Sequence, residues 1–218
     1  MAEFISARWQ DILFRCYQHG SLVIQSLIIA SIIALILAVI VTSFRTLAPI
    51  ANAISAIGLT IPLFALLGML IPIVGIGTLP SIVVVCFYAT LPILRNAVVG
   101  LDGVSPSLVE AARGQGMSSF GILTKVKLPI AWPVIMTGIR VSAQMSMGVA
   151  AIAAYALGPG LGGYIYTGLS QIGGANAVNY AVVGTIGVVI VALIVDFALI
   201  GFGRLTIPQG LRRKKCHH

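Results

Sequence analysis

Few residues in this chain are equipped for chemistry. Asp196 is the only carboxylate deep in an apolar stretch. An intramembrane carboxylate reads either as a functional group or as half of a structural ion pair. The available partners for a pair are Arg140 and Arg95, each bordering an uncharged run. Cys16, Cys86 and Cys216 lack the spacing of metal ligands, and no metal site is expected. His19 is isolated, and His217 and His218 follow a basic run as the remnant of an expression tag would. There is no His-Glu-x-x-His, no paired Asp and no Ser–His pair within the apolar runs, so an intramembrane enzyme is disfavoured. A Gly-x4-Gly-Lys-Ser/Thr loop is also absent, so this chain cannot bind and split ATP by that device. A channel or proton-coupled carrier remains as a contrasting class, and it would work without ATP and without partner chains.

The elements that hold these residues are dictated by composition. Only 8% of the 218 residues are charged, 59% are hydrophobic, and the formal net charge is +8. A soluble domain carries roughly 25% charge, and mean hydropathy here is +1.08. Disorder needs the opposite balance. The composition is that of an integral membrane protein. Period-2 alternation is missing, so the spans must be helices that satisfy their own backbones. We read one domain over 1–218, an all-α membrane protein with five spans near 21–43, 48–71, 79–101, 130–157 and 179–203. The uncharged run from Thr46 to Leu94 is far too long for one crossing, at about 1.5 Å per residue against a ~30 Å core. It is expected to fold back at Pro72–Pro80, where glycine and proline concentrate. The run from Val141 to Val195 is expected to break at Gly158–Gly163 and on to Gly174. No cleavable signal peptide is expected, because the first apolar run is too long for one.

Lysine and arginine set the orientation. Arg95–Arg140 holds seven charges, five of them positive, and the tail adds Arg204, Arg212, Arg213, Lys214 and Lys215. The connections at Pro72–Pro80 and Gly158–Asn176 hold none. The 102–128 loop and the C-terminus are therefore expected in the cytoplasm and the N-terminus outside, although Arg8 and Arg15 argue against the last placement. The basic tail then meets anionic lipid headgroups of the bilayer, not nucleic acid.

The 102–128 loop reads as two short helices. Ser107-x-x-Glu110 has capping-box spacing, and Ser105-Pro106 offers an alternative start. Glu110 is expected near the positive end of the helix dipole. Ala111, Ala112, Gly114 and Gly116 form a small-residue surface open to close approach, and the two glycines are expected to end the first helix. Ser118 or Ser119 can cap the second, which leads to Pro129.

The full pattern is Glu110-Ala111-Ala112, Gly116, Val126 and Leu128-Pro129. It resembles the signature of permease subunits of ABC importers, with Val126 where that family usually has Ile. The resemblance implies a type I importer permease fold in which this loop is a coupling helix that docks on a cytoplasmic ATPase dimer. Glu110, Ala111, Ala112, Arg113, Gly116, Met117, Val126, Leu128 and Pro129 are then the coupling residues. ATP and Mg would sit on the partner ATPase and no cofactor on this chain. A second permease, identical or paralogous, would complete the pathway, and an extracellular or periplasmic binding protein would deliver cargo. The location implied is the bacterial inner membrane. Asp196 is then expected in the ion pair, since ATP-driven transport needs no proton relay.

Further stretches look like the osmoprotectant subfamily, whose members import glycine betaine, carnitine or choline. These are Ile61-Pro62, Leu70–Gly77, Tyr88–Asn96, Gly138-Ile139-Arg140 and Ala156–Ile165, where Gly-Pro-Gly-Leu-Gly-Gly replaces the commoner Gly-Ala-Gly-Gly-Leu-Gly. Methionine permeases are the alternative. Mid-span Thr60, Ser142, Gln144 and Ser146 are candidates to line the path, although small hydroxyl residues equally serve helix packing. No Trp or Tyr cluster falls within one span, so no aromatic cage is expected in this chain. Trp9 and Trp132 read as interface anchors.

Overall fold

The computed structural model describes residues 1–44 and 46–207. Arg45, the Arg212–Lys215 tail, Cys216, His217 and His218 lie outside the described residues. Among those described, all regular structure is helical: α1 (Ala2–Ser43), α2 (Leu47–Gly58), α3 (Leu63–Val74), α4 (Thr78–Asp102), α5 (Pro106–Gly114), α6 (Ser119–Ile122), a π-turn over Leu123–Lys127, α7 (Leu128–Ala153), a 3-10 turn over Ala154–Ala156, α8 (Gly162–Ser170) and α9 (Ala177–Thr206). Four helices are long and apolar enough to cross a membrane, and a fifth crossing is made if α2 and α3 count as one bent span.

That bend is 92°. The sequence suggests one continuous helix over 48–71, but Pro62 has no backbone N–H and pushes Ile61 out of the helical region. The chain unwinds at Leu59–Pro62. Carbonyls freed there cannot be left bare in lipid. The Tyr88 hydroxyl from α4 donates to the Ile61 carbonyl, and the Thr60 hydroxyl donates to that of Ile57 at 2.7 Å. The next reversal is three residues long, with Gly75 and Gly77 at φ +80° and +115°.

The core is built by α1, α4 and α7. Ala30, Ala34 and Ala38 are fully buried at helical spacing on α1, beside Val23, Leu27 and Val41. Small residues on one stripe let helix backbones approach closely, the usual route to packing where lipid removes the hydrophobic drive. The opposite face of α1 carries exposed Ile28, Ile32, Ile36 and Ile40. That exposed face is apolar, as a surface in contact with lipid is.

Two further elements differ from the sequence reading. Helix α1 is 42 residues long, so it rises roughly 63 Å and overshoots the bilayer core by about a factor of two. Its added N-terminal half packs on α8 and α9. Phe4 lies edge-on to Tyr164 and Tyr180, Arg8 stacks on Phe4 and Tyr180 at 5.3 and 5.2 Å, and Arg15 stacks on Tyr164 at 5.0 Å. Arg15 also pairs with Asp11 at 2.9 Å. The two arginines that argue against an outer N-terminus are thus held by rings and a carboxylate. The second difference is α8, a nine-residue helix inside the glycine-rich connection. Gly162 lets it sit on α7, since a Cβ there would lie 2.1 Å from the Ala151 carbonyl oxygen.

Candidate functional site

The α5–α6 hairpin projects between the ends of α4 and α7. Its helix begins with Ser105 as cap and Pro106 as first residue. The Ser107 capping box does not form. Ser107 lies inside the first turn, where its hydroxyl bonds that of Ser105 at 2.7 Å. Glu110 consequently sits in the second turn, past the reach of the N-terminal dipole, and its side chain is exposed.

The end of α5 is a Schellman motif. The Met117 N–H donates to the Ala112 carbonyl at 3.2 Å, and the Gly116 N–H to that of Arg113 at 3.0 Å. Gly116 takes φ +82°, the left-handed geometry this closure requires. Ser118 then caps α6, accepting from the Gly121 N–H at 3.2 Å. The two alanines divide between faces: Ala112 is buried and Ala111 is exposed. The outward face of the hairpin is therefore Glu110, Ala111 and Gly114, with open space over Gly114. Val126, Leu128 and Pro129 are half-buried where the hairpin rejoins the bundle. Val126 lies in the π-turn, a local widening that joins α6 to α7 with no break in the helical path.

Behind the hairpin, against the last turn of α1, lies a cavity of about 510 Å³. Val109, Arg113, Phe120 and Lys127 line it, with Thr42 and Ser43. The hairpin thus rests on α1 through a partly filled, cationic seam.

Midway along α7, at a partly exposed position, Arg140 grips Asp196 of α9 with both arms. Its Nε donates to Oδ1 at 2.9 Å and its second nitrogen to Oδ2 at 3.0 Å. Gln144, one turn along, adds a long contact from Nε2 at 3.4 Å. Of the two arginines considered from sequence, Arg140 makes the pair, while Arg95 is exposed on α4 and takes no part in it. Among the four path candidates, Ser142 is fully buried and donates to the Ala89 carbonyl of α4 at 2.8 Å. Ser146 is also fully buried. Thr60 and Gln144 are exposed. The structure thus uses Ser142 in helix packing and leaves two polar groups at the surface.

Sequence reasoning missed a further cluster. Phe64 at the start of α3, Tyr155 in the 3-10 turn and Tyr166 of α8 meet edge to face, with centroids 5.4 and 5.7 Å apart. Each ring comes from a different element, so no run of sequence holds them together. At the same end, the Gly77 N–H donates to the Ala156 carbonyl at 2.8 Å and ties the start of α4 to the end of α7.

A helical membrane bundle with a bent second span and a structured hairpin between its third and fourth spans is the architecture of a type I ABC importer permease. The transmembrane chains of a methionine ABC transporter, MetNI, in inward-facing conformations, share it. One superposes with a TM-score of 0.77 at 26% identity, covering 90% of this chain and 96% of the other. Residues 22–204 match the family described as binding-protein-dependent transport system inner membrane component, and the chain belongs to that family. It is similar to the choline transport system permease protein OpuBB of Bacillus subtilis, 34% identical over 99% of this chain and 97% of that one. The glycine betaine/carnitine/choline transport system permease protein OpuCB of the same organism is equally similar, at 34%. The osmoprotectant import permease protein OsmW of Salmonella typhimurium is 35% identical over 90% of this chain and 92% of its own. The chain is a multi-pass membrane permease, a transport subunit and not an enzyme.

Proposed function

We propose that this chain imports quaternary ammonium osmoprotectants such as glycine betaine, carnitine or choline, as one half of an ATP-driven pathway. The α5–α6 hairpin is its coupling element. The observation that carries the reading is the rigid hairpin: a helix closed by a Schellman motif, its Glu110–Ala111 face turned away from the bundle. Such an element can be pushed without buckling, so movement of a docked ATPase passes into α4 and α7. ATP and Mg belong to that ATPase. A second permease, identical or paralogous, supplies the other wall of the path, and a binding protein delivers cargo to the opposite face.

Charge placement supports the orientation. Arg113, Lys125, Lys127 and Arg204 lie at the hairpin end, where Trp132 of α7 also bonds Thr206 of α9 at 2.8 Å. That end is cytoplasmic by the positive-inside rule, which brings the C-terminus inside as well. The substrate class is supported by the names and near-full coverage of the choline and osmoprotectant relatives. Likeness to a methionine transporter supports the second reading, a permease for methionine or another small amino acid.

Reconstituted complex, supplied with ATP, is tested for uptake of labelled betaine, choline, carnitine and methionine. The reading expects uptake of one or more of the first three and loss of uptake in Glu110→Lys and Gly116→Asp, with the ATPase no longer retained on the permease. Methionine uptake alone would transfer the assignment to the second reading. Full uptake with full ATPase retention in both variants would refute the coupling role.

A further inference from the structure

We propose that Phe64, Tyr155 and Tyr166 form a receiving site for a quaternary ammonium head group at the end of the permease opposite the hairpin. This rests on the substrate class proposed above and assigns it a place in this chain.

Three observations converge on the site. The rings are nearly perpendicular in sequence, 83° between Phe64 and Tyr155 and 85° between Tyr155 and Tyr166. All three are accessible, at 58%, 58% and 48%. They flank a cavity of about 190 Å³, whose remaining wall is aliphatic, with Ile152, Ile165 and Leu169. Drug-sized pockets run to roughly 300–1,000 Å³, so this one suits a small, compact group.

The chemistry selects an onium ion. A ring face is negative and attracts a cation within about 6 Å of its centroid, and a quaternary ammonium group, which offers no N–H to donate, is held best by this means. No charged side chain lines the cavity, so an inorganic ion or an anion has no partner there. The chain itself shows what its rings do with a cation elsewhere: Phe4 and Tyr180 hold the Arg8 guanidinium. Among the described residues no such stacking of the chain's own arginines is found on Phe64, Tyr155 or Tyr166.

The location suits transfer. Helix α7 has 26 residues, so its two ends lie roughly 39 Å apart. Leu128 at one end adjoins the hairpin, and Tyr155 follows the other. The site is therefore at the mouth where cargo would enter, not at the ATPase side. Its three walls also belong to the parts with breaks beside them: Phe64 follows the 92° bend, and Tyr155 precedes Leu157 at φ +58°. Motion of these elements changes the spacing of the rings, so cargo can be held weakly and let go.

The permease assembled with its ATPase in nanodiscs is probed by saturation-transfer NMR with choline and with its neutral carbon isostere, in which a tert-butyl group replaces trimethylammonium. Choline should give N-methyl signal, the isostere should bind about 3- to 30-fold more weakly, and Tyr155→Leu and Phe64→Leu should weaken choline by a similar factor. Tyr155→Phe, which keeps the ring, should bind as the parent does and guards against misfolding as the cause. Equal binding of choline and isostere, absence of choline signal, as when a second permease covers the rings, or choline binding unchanged in both leucine variants would each overturn the site. Uptake by the same complex separates the two levels. Uptake of choline without signal at the rings overturns the site alone, whereas ring-dependent binding without any quaternary ammonium uptake upholds the site and overturns the transporter's assigned cargo.

Discussion

Replacing Asp196 by Asn tests whether the α7–α9 pair is structural. The Arg140–Asp196 pair is bidentate at 2.9 and 3.0 Å, with side chains 39% and 20% exposed. Asn keeps the shape and one acceptor but removes the charge. The Arg140 guanidinium then loses its counter-charge and keeps at best one neutral hydrogen bond. An uncompensated arginine near a span centre costs about 2.5–3.5 kcal/mol on insertion scales. Partial exposure and the nearby Gln144 reduce this, so a loss of about 2 kcal/mol is expected in this protein. For a chain of this length that corresponds to a fall in Tm of roughly 4–8 °C. Thermal melts of the assembled complex in nanodiscs measure it. The companion variant Arg140→Gln should cost a comparable amount, and the double variant clearly less than the sum, because removing both charges leaves neither stranded. ATP-driven uptake per assembled complex should stay within about twofold of the parent, a change under roughly half a kcal/mol. Additive losses in the double variant would refute the pairing argument. Normal stability with ATPase activity uncoupled from transport would refute the structural role and return Asp196 to the mechanism.

Three further outcomes follow from the geometry. Gly116→Ala adds only a methyl but strains a residue at φ +82°, about 1–2 kcal/mol; uptake should fall partially. Tyr164 is pushed up to about 12 from 10.0, first by burial and then by the Asp11 carboxylate its hydroxyl donates to. A raised pKa stabilises the folded chain fully below the unfolded value, and that contribution is lost as pH climbs through 12, so the stability gap between parent and Tyr164→Phe should narrow above pH 10 and stay flat below it until Asp11 takes up a proton in acid. A disulfide between Gly100→Cys and Ala131→Cys, in a background without the native cysteines, should leave transport largely intact. The built Cβ of Gly100 lies 3.3 Å from that of Ala131, close to bridging distance, and α4 and α7 are expected to move as one body; abolished uptake restored by reductant would contradict this.

What the sequence disclosed and what it hid divide by range. Uncharged runs marked where the long apolar helices lie, because an apolar environment excludes charge locally, residue by residue. The hairpin was readable for the same reason, since Ser105-Pro106, Gly114, Gly116 and Ser118 act on their own neighbours. The bend at Leu59–Pro62 was harder to place. It lies in an apolar run without composition contrast, and its stability depends on Tyr88 reaching across from α4. Helix α8 was hidden by its own glycines, which serve close approach to α7 at Gly162 and read in sequence as simple breaks. The split of Ala111 from Ala112 needed the register of α5, which the choice between Ser105 and Ser107 as cap decides. The ring cluster is wholly tertiary, with Phe64, Tyr155 and Tyr166 distributed over three elements.

The arrangement also explains why so few charges suffice. A permease driven from outside needs no reactive group of its own; it needs stiff parts, soft joints and a place to be pushed. Gly138 packs α7 so tightly on α4 that a Cβ there would lie 2.6 Å from the Asn96 Cβ, and Ser142 locks the same helices by its bond to Ala89. Close packing of this kind resists continuous deformation and favours rigid-body steps. The joints are set beside that unit: Leu59–Pro62 before α3, Gly75–Gly77 before α4, and Leu157–Gly160 before α8. On the coupling role proposed above, force applied at Glu110 and Ala111 would enter a stiff pair of helices and emerge at the far end, where the joints are. The Arg140–Asp196 pair ties α9 to this body, and the Trp132–Thr206 bond repeats the tie at the hairpin end.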